Sequence, residues 1–508
     1  EGIVPYNNPS HVQVMLTLPD EHRFTYALDA LGRDLLQRHK DESILTKAVE
    51  QALATVDVKA RLVKQNLFRL PGRYSGLYGE QDGRLTWDVH ELLLPRIKEE
   101  GLEQVYELEQ SMTPIAVDMR WNGVRVNSDR AEEVRDLLIG KEAAIIAAVK
   151  ERTGVAVDAW DKAAIVRALR TEGITPPKTA KGQDSVTKQW LAELDHPLAR
   201  EIMQIRIYNK ARTTFIDGHV LGHAINGRVH CQFHQLRSED EQGTGHGAIT
   251  GRWSSSDPNL QQLPKRMKEI LYLVRSLFLP EEGQKWASLD YSSQEPRLTL
   301  HYAHLTKQRG TADAVQKYHD NPRTDYHQMV ADLCNISRDE AKPINLGIAY
   351  GMGGAKLCRE LGLPTAWCLV ETEKGGRTRW TDIPDPTEVP AHKRHMLVEV
   401  AGERGKEILA SYHRGVPFIK GLINLAMRRG QERGFVSTIL GRRCRFEEHP
   451  HTNDYMEIHA ALNKIIQGSA ADQTKKAMQI LYYEHGICPL ITLHDELGLS
   501  VDGYEGAR

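Results

Sequence analysis

Near its end the sequence alternates apolar and polar residues on both sides of an acidic pair. Apolar residues at positions 491 and 493 precede Asp495 and Glu496, and apolar residues at 497, 499 and 501 follow them. Alternation with a period of two is typical of a strand with one buried face. Two such runs around a short polar segment predict a β-hairpin. The sequence therefore places two carboxylates at the tip of a hairpin.

A second acid-bearing strand is predicted where the run WASLD ends at Asp290. Carboxylates at strand ends and hairpin tips are reachable by solvent yet rigidly held, which suits the strict octahedral geometry of Mg²⁺. Two such ions about 4 Å apart can activate an attacking hydroxyl and stabilise the leaving oxygen of a phosphoryl displacement. Acids that flank strands are, however, usually solvated turn residues. This pattern alone does not establish a site.

Composition limits the class of protein. The chain has 508 residues, with 66 Lys and Arg against 68 Asp and Glu and a net charge of −2. That length indicates about three domains. The charge balance excludes a uniformly cationic nucleic-acid binder but permits a basic groove within a neutral total. No run of about 18 apolar residues is present, so no membrane span is expected. The six cysteines form no CxxC pair, which argues for a reducing compartment with neither a disulfide framework nor a cysteine-built zinc site.

Helical patterns dominate the rest of the chain. Helices are predicted for the region before residue 100, for a segment that begins at Ser128 with Ser128 or Asp129 as N-cap, and for 199–217, 403–431 and 455–485. Residues 238–249 are predicted to form a Gly-rich polar loop, and 365–400 an inserted loop or hairpin. Long helices with a few acid-bearing strands indicate an α+β fold.

One further helix is predicted to begin at Arg338, because Ser337 and Glu340 form a capping box. Four residues then follow one turn apart, on one stripe of the helix: Arg338, Lys342, Leu346 and Tyr350. Two cations one turn apart, followed by a tyrosine beside glycines, suit a triphosphate at one end and a flat base at the other. A solvated basic face is the simpler explanation of the two cations alone.

Five motifs together resemble those of family A DNA polymerases, the DNA polymerase I family. They are Thr250-Gly-Arg252-x-Ser-Ser-x-Asp-Pro-Asn259-Leu-Gln261, Asp290-Tyr-Ser-Ser-Gln-Glu-Pro-Arg297, Arg338-x3-Lys342-x3-Leu346-Gly-x2-Tyr350-Gly351, Asn463-x3-Gln467-Gly-x-Ala-Ala-Asp472 and Leu493-His-Asp-Glu496. They occur in the family's order, and the resemblance covers residues 103–508. It implies a right-hand polymerase with thumb 128–218, palm 219–305 and 450–508, and fingers 306–449.

The resemblance also implies catalytic and nucleotide-binding roles. Asp290 and Asp495 would hold two Mg²⁺ ions, for which Mn²⁺ can substitute, helped by the Tyr291 carbonyl and with Glu496 nearby. Lys342 would also protonate the departing pyrophosphate, and Glu295 would exclude a 2′-hydroxyl with its carboxylate held by Tyr350. The side chains implied to line the dNTP site are Arg338, Lys342, His327, Leu346, Tyr350, Glu295 and Tyr291.

DNA contacts are implied in the same way. The residues expected to hydrogen-bond primer and template in the minor groove are Arg252, Asn259, Gln261, Asn463, Gln467 and His494. That groove offers acceptors at every base pair, so such contacts test pair geometry without reading sequence. Lys210 and Arg212, in the predicted thumb, are candidates for phosphate contacts. Asn463 and Gln467 are otherwise an ordinary polar helix stripe.

Departures from the family pattern are informative. Leu346 stands where the family usually has an aromatic residue, and His459 where an arginine is common. Gln294 and Pro296 replace apolar residues, and Pro343 removes a helix hydrogen bond, which predicts a kink. These differences and the longer segments 238–249 and 365–400 indicate a bacteriophage replicative enzyme, in the cytoplasm of an infected bacterial cell.

The segment 1–102 is interpreted as part of a ribonuclease H-like 3′–5′ exonuclease domain. Tyr78-x3-Asp82 fits the third motif of the exonuclease fused to this family, with Asp82 as metal ligand and Tyr78 orienting water. No D-x-E motif precedes it, so the remaining acids are expected upstream of Glu1, and the chain is expected to be truncated at both ends.

Template-directed DNA synthesis is therefore the leading hypothesis, with primer–template DNA and dNTPs as partners. A processivity factor or other replisome protein is not identified by the motifs. A single-subunit RNA polymerase shares the acids and the Arg/Lys/Tyr helix, but Glu295 and the exonuclease motif argue against it. Intact Asp290, Asp495, Arg338 and Lys342 argue against a catalytically inactive DNA-binding relative, and the nucleotide helix has no purpose in a metal-dependent nuclease.

Overall fold

A computed structural model describes residues 11–23, 25–53, 63, 65–179, 182–239, 245–264, 268–349, 351–372, 378–452, 454–493 and 495–503. The α-helices are α1 Val12–Leu16, α2 Leu28–Leu36, α3 Ser43–Leu53, α4 Gly72–Glu99, α5 Glu103–Asn122, α6 Ser128–Thr153, α7 Lys162–Thr171, α8 Lys188–Glu193, α9 Pro197–Lys210, α10 Lys268–Arg275, α11 Gln294–Leu305, α12 Thr311–Asp320, α13 Tyr326–Cys334, α14 Arg338–Ala349, α15 Gly354–Glu360, α16 Glu403–Gly415, α17 Pro417–Arg433 and α18 Ala461–His485.

The strands are short, and every pairing between the described strands is antiparallel. They are β1 Val124–Val126, β2 Ala224–Ile225, β3 Arg228–Val229, β4 Gln232–His234, β5 Ser238–Glu239, β6 Gly245–His246, β7 Ser254–Ser256, β8 Phe278–Leu279, β9 Lys285–Asp290, β10 Thr365–Thr372, β11 Thr378–Ile383, β12 Leu397–Ala401, β13 Phe435–Ser437, β14 Arg443–Arg445, β15 Ile491–Leu493 and β16 Glu496–Val501. The α+β class is confirmed, and none of the helices in the described ranges combines the length and apolar character of a membrane span.

The chain divides into two compact units. The first unit comprises Glu1–Ser111, Gln235–Arg252 and Tyr291–Ala477, and the second unit comprises Met112–His234, Trp253–Asp290 and Met478–Arg508. The boundaries expected for thumb, palm, fingers and exonuclease segments stay a prediction.

The second unit contains the acid-bearing sheet. Its strand order is β15-β16-β9, and both pairings are antiparallel. Buried Ile491 and Leu493 of β15, with half-buried Trp286 of β9, place this sheet in a core shared with Val134 of α6 and Phe215. A second core holds together α6 to α9. The hairpin and the strand ending at Asp290 are thus confirmed.

The first unit has a helical core. Side chains of α11, α13, α14, α16, α17 and α18 pack together around residues such as Leu298, Ile344 and Ile466. Strands β11, β10 and β12 form an antiparallel sheet in that order, so the predicted insertion is a hairpin with a third strand. A separate core joins α1, α2 and α4 through Leu31, Val89 and their neighbours.

Several local predictions need correction. Residues 238–249 contain the paired strands β5 and β6 rather than only a loop. The N-cap of α6 is Asn127, whose side chain accepts from the Arg130 backbone N–H at 2.9 Å, and not Ser128 or Asp129. The predicted helix 199–217 changes at Lys210 into a π-helical segment, Ala211–Leu221. The predicted helix at 403–431 is two helices separated at Val416, and the next helix begins at Ala461 rather than 455.

Candidate active site

Two of the predicted catalytic acids lie at one end of the sheet in the second unit, where β9 ends and β16 begins. Asp290 is the last residue of β9, and it stands opposite Glu496, the first residue of β16. Asp495 immediately precedes β16. Asp290 is exposed and Asp495 is half-buried. The short turn between β15 and β16 therefore brings a carboxylate to the strand end where Asp290 lies, as the sequence predicted.

Glu496 has a different environment from Asp290. It is buried, and its two carboxylate oxygens accept from Arg275 Nη1 at 2.9 Å and Arg275 Nη2 at 3.2 Å. Ser288 also donates its hydroxyl to Glu496, at 2.5 Å. Sequence reasoning missed Arg275, which closes α10 and belongs to none of the five motifs. These contacts indicate that Glu496 anchors the strand.

The carboxylate oxygens at this end of the sheet are suitable ligands for a hard cation. Asp290 and Asp495 offer carboxylate oxygens, which are the ligands that Mg²⁺ prefers. Within the described part of the chain, no three His, Cys, Asp or Glu side chains converge closely enough to form a complete metal site. Mg²⁺ is usually bound by one or two carboxylates, with water and substrate phosphates as the remaining ligands.

The predicted nucleotide helix is α14 of the first unit, and its capping box is confirmed. Glu340 Oε2 accepts from the Ser337 backbone N–H at 2.7 Å, and Ser337 Oγ accepts from the Glu340 N–H at 3.2 Å. The helix consequently begins at Arg338. Arg338 and Lys342 are both exposed, one turn apart. A polyanion can therefore reach both cations from solvent.

Arg338 is oriented by a neighbouring helix. Its Nε donates to Asp325 Oδ2 at 2.6 Å, while Asp325 Oδ1 caps α13 by accepting from the His327 N–H at 2.9 Å. Burial alone would raise the pKa of Asp325, but the hydrogen bonds, chiefly that from Arg338, lower it. Asp325 therefore stays ionised at neutral pH and holds the guanidinium at the start of α14. The motif analysis did not identify Asp325.

His327 is more buried than its predicted phosphate role implied, at 7% exposure. Burial lowers the pKa of His327, and Lys342 and Arg338 lower it further against the opposing effect of Asp325. Asn345 Nδ2 lies 3.0 Å from His327 Nδ1. An amide N–H₂ can only donate, so Nδ1 accepts and the proton of the neutral ring sits on Nε2. Any phosphate contact by His327 would then be a neutral hydrogen bond.

The structure describes only some of the other residues predicted to line the dNTP site. Tyr350 and His494 lie outside the described residues, and of Leu346 only the backbone within α14 is described. Tyr291 is half-buried, and burial raises its pKa. Gln294 is buried, where its Nε2 donates to the Ala470 carbonyl at 3.2 Å. The polar replacement in the second motif is therefore satisfied by a hydrogen bond to α18.

Glu295 has an unexpected partner. Its Oε1 accepts from Arg252 Nη2 at 2.5 Å. Tyr350, which was expected to hold this carboxylate, lies outside the described residues. Arg252 was expected to contact DNA. Arg252 is paired within the protein here, and its predicted DNA contact stays a prediction.

The amide residues predicted to contact DNA differ in how they are used. Asn259 Oδ1 accepts from the Gln261 N–H at 3.1 Å and from Ser255 Oγ at 3.0 Å, so it shapes its own turn. Asn463 and Gln467 lie half-buried one turn apart on α18. Asn463 Oδ1 is shielded from solvent and has no hydrogen-bond partner among the described residues. An unsatisfied buried acceptor is costly.

The two predicted thumb cations are not equivalent. Lys210 is exposed at the end of α9. Arg212 is only 24% exposed, 3.7 Å from Glu142 and 3.6 Å from Asp217. Lys210 is therefore better placed than Arg212 to contact a phosphate.

The residues of the predicted exonuclease motif contact a lysine. Lys40 Nζ lies 2.6 Å from Asp82 Oδ1 and 5.3 Å from the ring centroid of Tyr78. Burial and the adjacent Asp82 raise the pKa of Tyr78 to about 12. The described residues between 11 and 102 contain helices and no strand. The exonuclease interpretation stays a prediction, and here Asp82 serves as an ion-pair partner.

A buried cluster of four charges, named here the charge cluster, was not predicted. It consists of Glu109, Arg442, Asp472 and Lys475. Arg442 donates to Asp472 Oδ1 from Nε at 2.9 Å and contacts Glu109, and Lys475 lies 2.5 Å from Glu109. Burial would raise the pKa of Glu109, but Lys475 and Arg442 outweigh it and lower that pKa to about 2. Only Asp472 belongs to a motif identified in the sequence.

Comparison with known proteins shows the family of this chain. The family model described as DNA polymerase family A matches residues 152–369 and 392–507. A DNA-directed DNA polymerase of Pseudomonas phage M6 is 39% identical, over 96% of this chain and 74% of the relative. The DNA polymerase DpoZ of Salmonella phage PMBT28 is 30% identical, over 96% of this chain and 77% of the relative.

Bacterial relatives are more distant. DNA polymerase I of Pseudomonas aeruginosa is 27% identical over 94% of this chain but only 49% of its own length. The solved POL domain of Pol1 from M. smegmatis, in complex with DNA primer-template and dNTP, superimposes with a TM-score of 0.69 at 21% identity, covering 98% of this chain and 76% of that chain. That likeness supports the fold. On the family match and the phage relatives, this chain belongs to DNA polymerase family A.

Proposed function

We propose that this family A enzyme, of phage type, extends a primer 3′-OH with dNTPs directed by a template strand. Template-directed DNA synthesis is what the family match and the phage relatives support, and they lend no support to the RNA polymerase alternative. One observation supports this chemistry. Asp290 and Asp495 lie at the same end of one sheet, where their carboxylate oxygens are accessible. In this proposal they hold two Mg²⁺ ions. When bound, these ions lower the pKa of the attacking hydroxyl and balance charge on the phosphates.

Residues of α14 and α13 are proposed to bind the triphosphate. Arg338 is held in orientation by Asp325 and can bind phosphate oxygens through its remaining N–H groups. Lys342, exposed one turn later, can donate a proton to the departing pyrophosphate. His327 would add one neutral donor from Nε2. Positioning and charge stabilisation are the main contributions expected of protein groups in such a transfer.

The DNA contacts and the domain division are further parts of the proposal. Asn463 would contact the minor groove through its side-chain amide N–H₂, the group that can donate to the groove's acceptors. Residues 128–218 would form the thumb and 306–449 the fingers. Glu295 would lie beside the sugar C2′ and reject ribonucleotides, because a 2′-hydroxyl would strand a buried polar group.

A primer-extension assay tests this function. With Mg²⁺, a primer–template and one dNTP at a time, extension should occur only with the dNTP that complements the template base. The four rNTPs should be incorporated poorly. RNA synthesis without a primer would overturn the proposal in favour of an RNA polymerase, and absence of any templated extension would favour an inactive relative.

A further inference from the structure

The ion pair between Arg252 and Glu295 joins two predicted sites, one for the primer terminus and one for the nucleotide sugar. Both side chains are partly exposed, at 29% and 20% respectively. Arg252 Nη2 donates to Glu295 Oε1 at 2.5 Å. Charge-assisted contacts of this kind are shorter and stronger than neutral ones. Neighbouring buried residues hold the backbone on both sides of this contact.

The backbone just before Arg252 packs against Arg442 of the charge cluster. Gly251 has a φ of +78°, and a Cβ at this position would lie 2.8 Å from Arg442 Cζ. Only glycine adopts this conformation readily while approaching a guanidinium so closely. Arg442 is itself fixed, because Asp472 Oδ1 accepts from its Nε at 2.9 Å and its Nη2 at 2.7 Å. The position of Arg252 is therefore set by a buried support.

Glu295 is fixed from the other side. It lies in the first turn of α11, next to Gln294, whose buried side chain donates to the Ala470 carbonyl and, at 3.1 Å, to Gln473 Oε1. Asp472, which supports Arg442, lies on the same helix as Ala470 and Gln473. Both partners of the ion pair are thus anchored through α18. The Glu295 side chain, which would otherwise sample several rotamers, is restricted by its ion pair with Arg252.

We infer that Arg252 is a positioning residue for sugar selectivity. It holds the Glu295 carboxylate in the orientation from which Glu295 meets the sugar C2′, and the charge cluster holds Arg252. The inference rests on the proposed function of Glu295. Its physical basis is preorganisation: a carboxylate already restricted to one orientation rejects a 2′-hydroxyl more sharply than one that can rotate away. Its effect on sugar selectivity is thereby exerted through Glu295.

The test is a mutant cycle read as selectivity. The ratio of kcat/KM for a dNTP to kcat/KM for the matching rNTP is measured for the wild type, Arg252→Met, Arg252→Lys, Glu295→Ala and the double variant Arg252→Met with Glu295→Ala. Any loss of primer binding in Arg252→Met affects both nucleotides and cancels in the ratio. Arg428→Met is the matched control, because Arg428 is an exposed arginine of the same unit whose ion pair, with Glu432, lies on the surface of α17.

Arg252→Met should lower the ratio by roughly 2- to 150-fold, the range of coupling between contacting residues. Arg252→Lys should recover part of that loss, since it retains the charge without the planar fork. The double variant should match Glu295→Ala alone, and Arg428→Met should match the wild type. An unchanged ratio in Arg252→Met, or losses that add in the double variant, would overturn this inference while primer extension upheld the proposed function. A wild type without templated extension would overturn both.

Discussion

Glu496 stands opposite Asp290 in adjacent antiparallel strands, and both of its carboxylate oxygens accept hydrogen bonds from Arg275. These two acids, at the same end of the sheet, therefore have different environments. Glu496 is buried and secures the beginning of β16 to α10, whereas Asp290 is exposed. Asp495, adjacent to Glu496 in sequence, takes its position from this anchored strand.

Replacing Glu496 is predicted to affect stability more than chemistry. Glu496→Gln weakens the pairing with Arg275 and should lower the free energy of unfolding by about 1–3 kcal/mol. Primer extension should fall less than about tenfold, because the carboxylate is engaged within the protein rather than at the reaction centre. Thermal unfolding and steady-state extension measure the two effects, with exposed Glu282→Gln as control. A loss of activity as large as that of Asp495→Asn, without loss of stability, would refute the anchoring role.

The charge cluster predicts a specific dependence of stability on pH. Glu109→Gln leaves Arg442 and Lys475 with Asp472 as the only acid of the cluster, which should destabilise the protein by about 3–5 kcal/mol at neutral pH. The pKa of Glu109 is lowered from 4.5 to about 2. Its contribution is therefore complete above pH 4.5 and is lost as the pH falls toward 2.

The Tm difference between wild type and Glu109→Gln should consequently be large at pH 7 and shrink below pH 4.5. Thermal unfolding across that range provides the measurement. Glu107→Gln, an exposed acid on the same helix, should leave the Tm unchanged. A difference that grows on acidification would contradict the lowered pKa.

The environments of Lys210 and Arg212 predict unequal DNA contacts. Lys210→Gln should reduce the slope of log affinity against log salt by about one unit, as expected for one lost phosphate contact. Arg212→Gln should change it less, because Glu142 and Asp217 already lie near the guanidinium. Titration of a labelled primer–template at several salt concentrations tests this. Equal changes in the two variants would show that Arg212 leaves its acidic neighbours on DNA binding.

Asp82 is predicted to stabilise the fold without supporting 3′ degradation. Asp82→Asn removes the charge that pairs with Lys40, whose side chain is only 6% exposed, and should lower stability by about 1–3 kcal/mol. Degradation of a labelled primer 3′ end should be negligible in both proteins, because one carboxylate holds Mg²⁺ weakly. Rapid degradation that Asp82→Asn abolishes would show that this residue belongs to a working nuclease site.

Local patterns predicted the elements that carry the site. Alternation around Asp495 indicated the hairpin, and the capping box of Ser337 and Glu340 located the beginning of α14 correctly. In contrast, Arg275 and Glu496 are 221 residues apart, and no periodicity connects them. The partners of Glu109 are more distant still, in α18 and just before β14. Such pairs arise only when packing brings remote segments together, so the fold was more predictable than the contacts that tune its side chains.

The central claim is that Asp290 and Asp495 carry the nucleotidyl transfer. The most direct measurement is single-turnover primer extension by Asp290→Asn and Asp495→Asn, with duplex affinity and Tm measured on the same preparations. We predict that each variant folds and binds primer–template nearly as the wild type does, while the rate falls by roughly 10³-fold or more. Extension by either variant at the wild-type rate would contradict the assignment of these two acids.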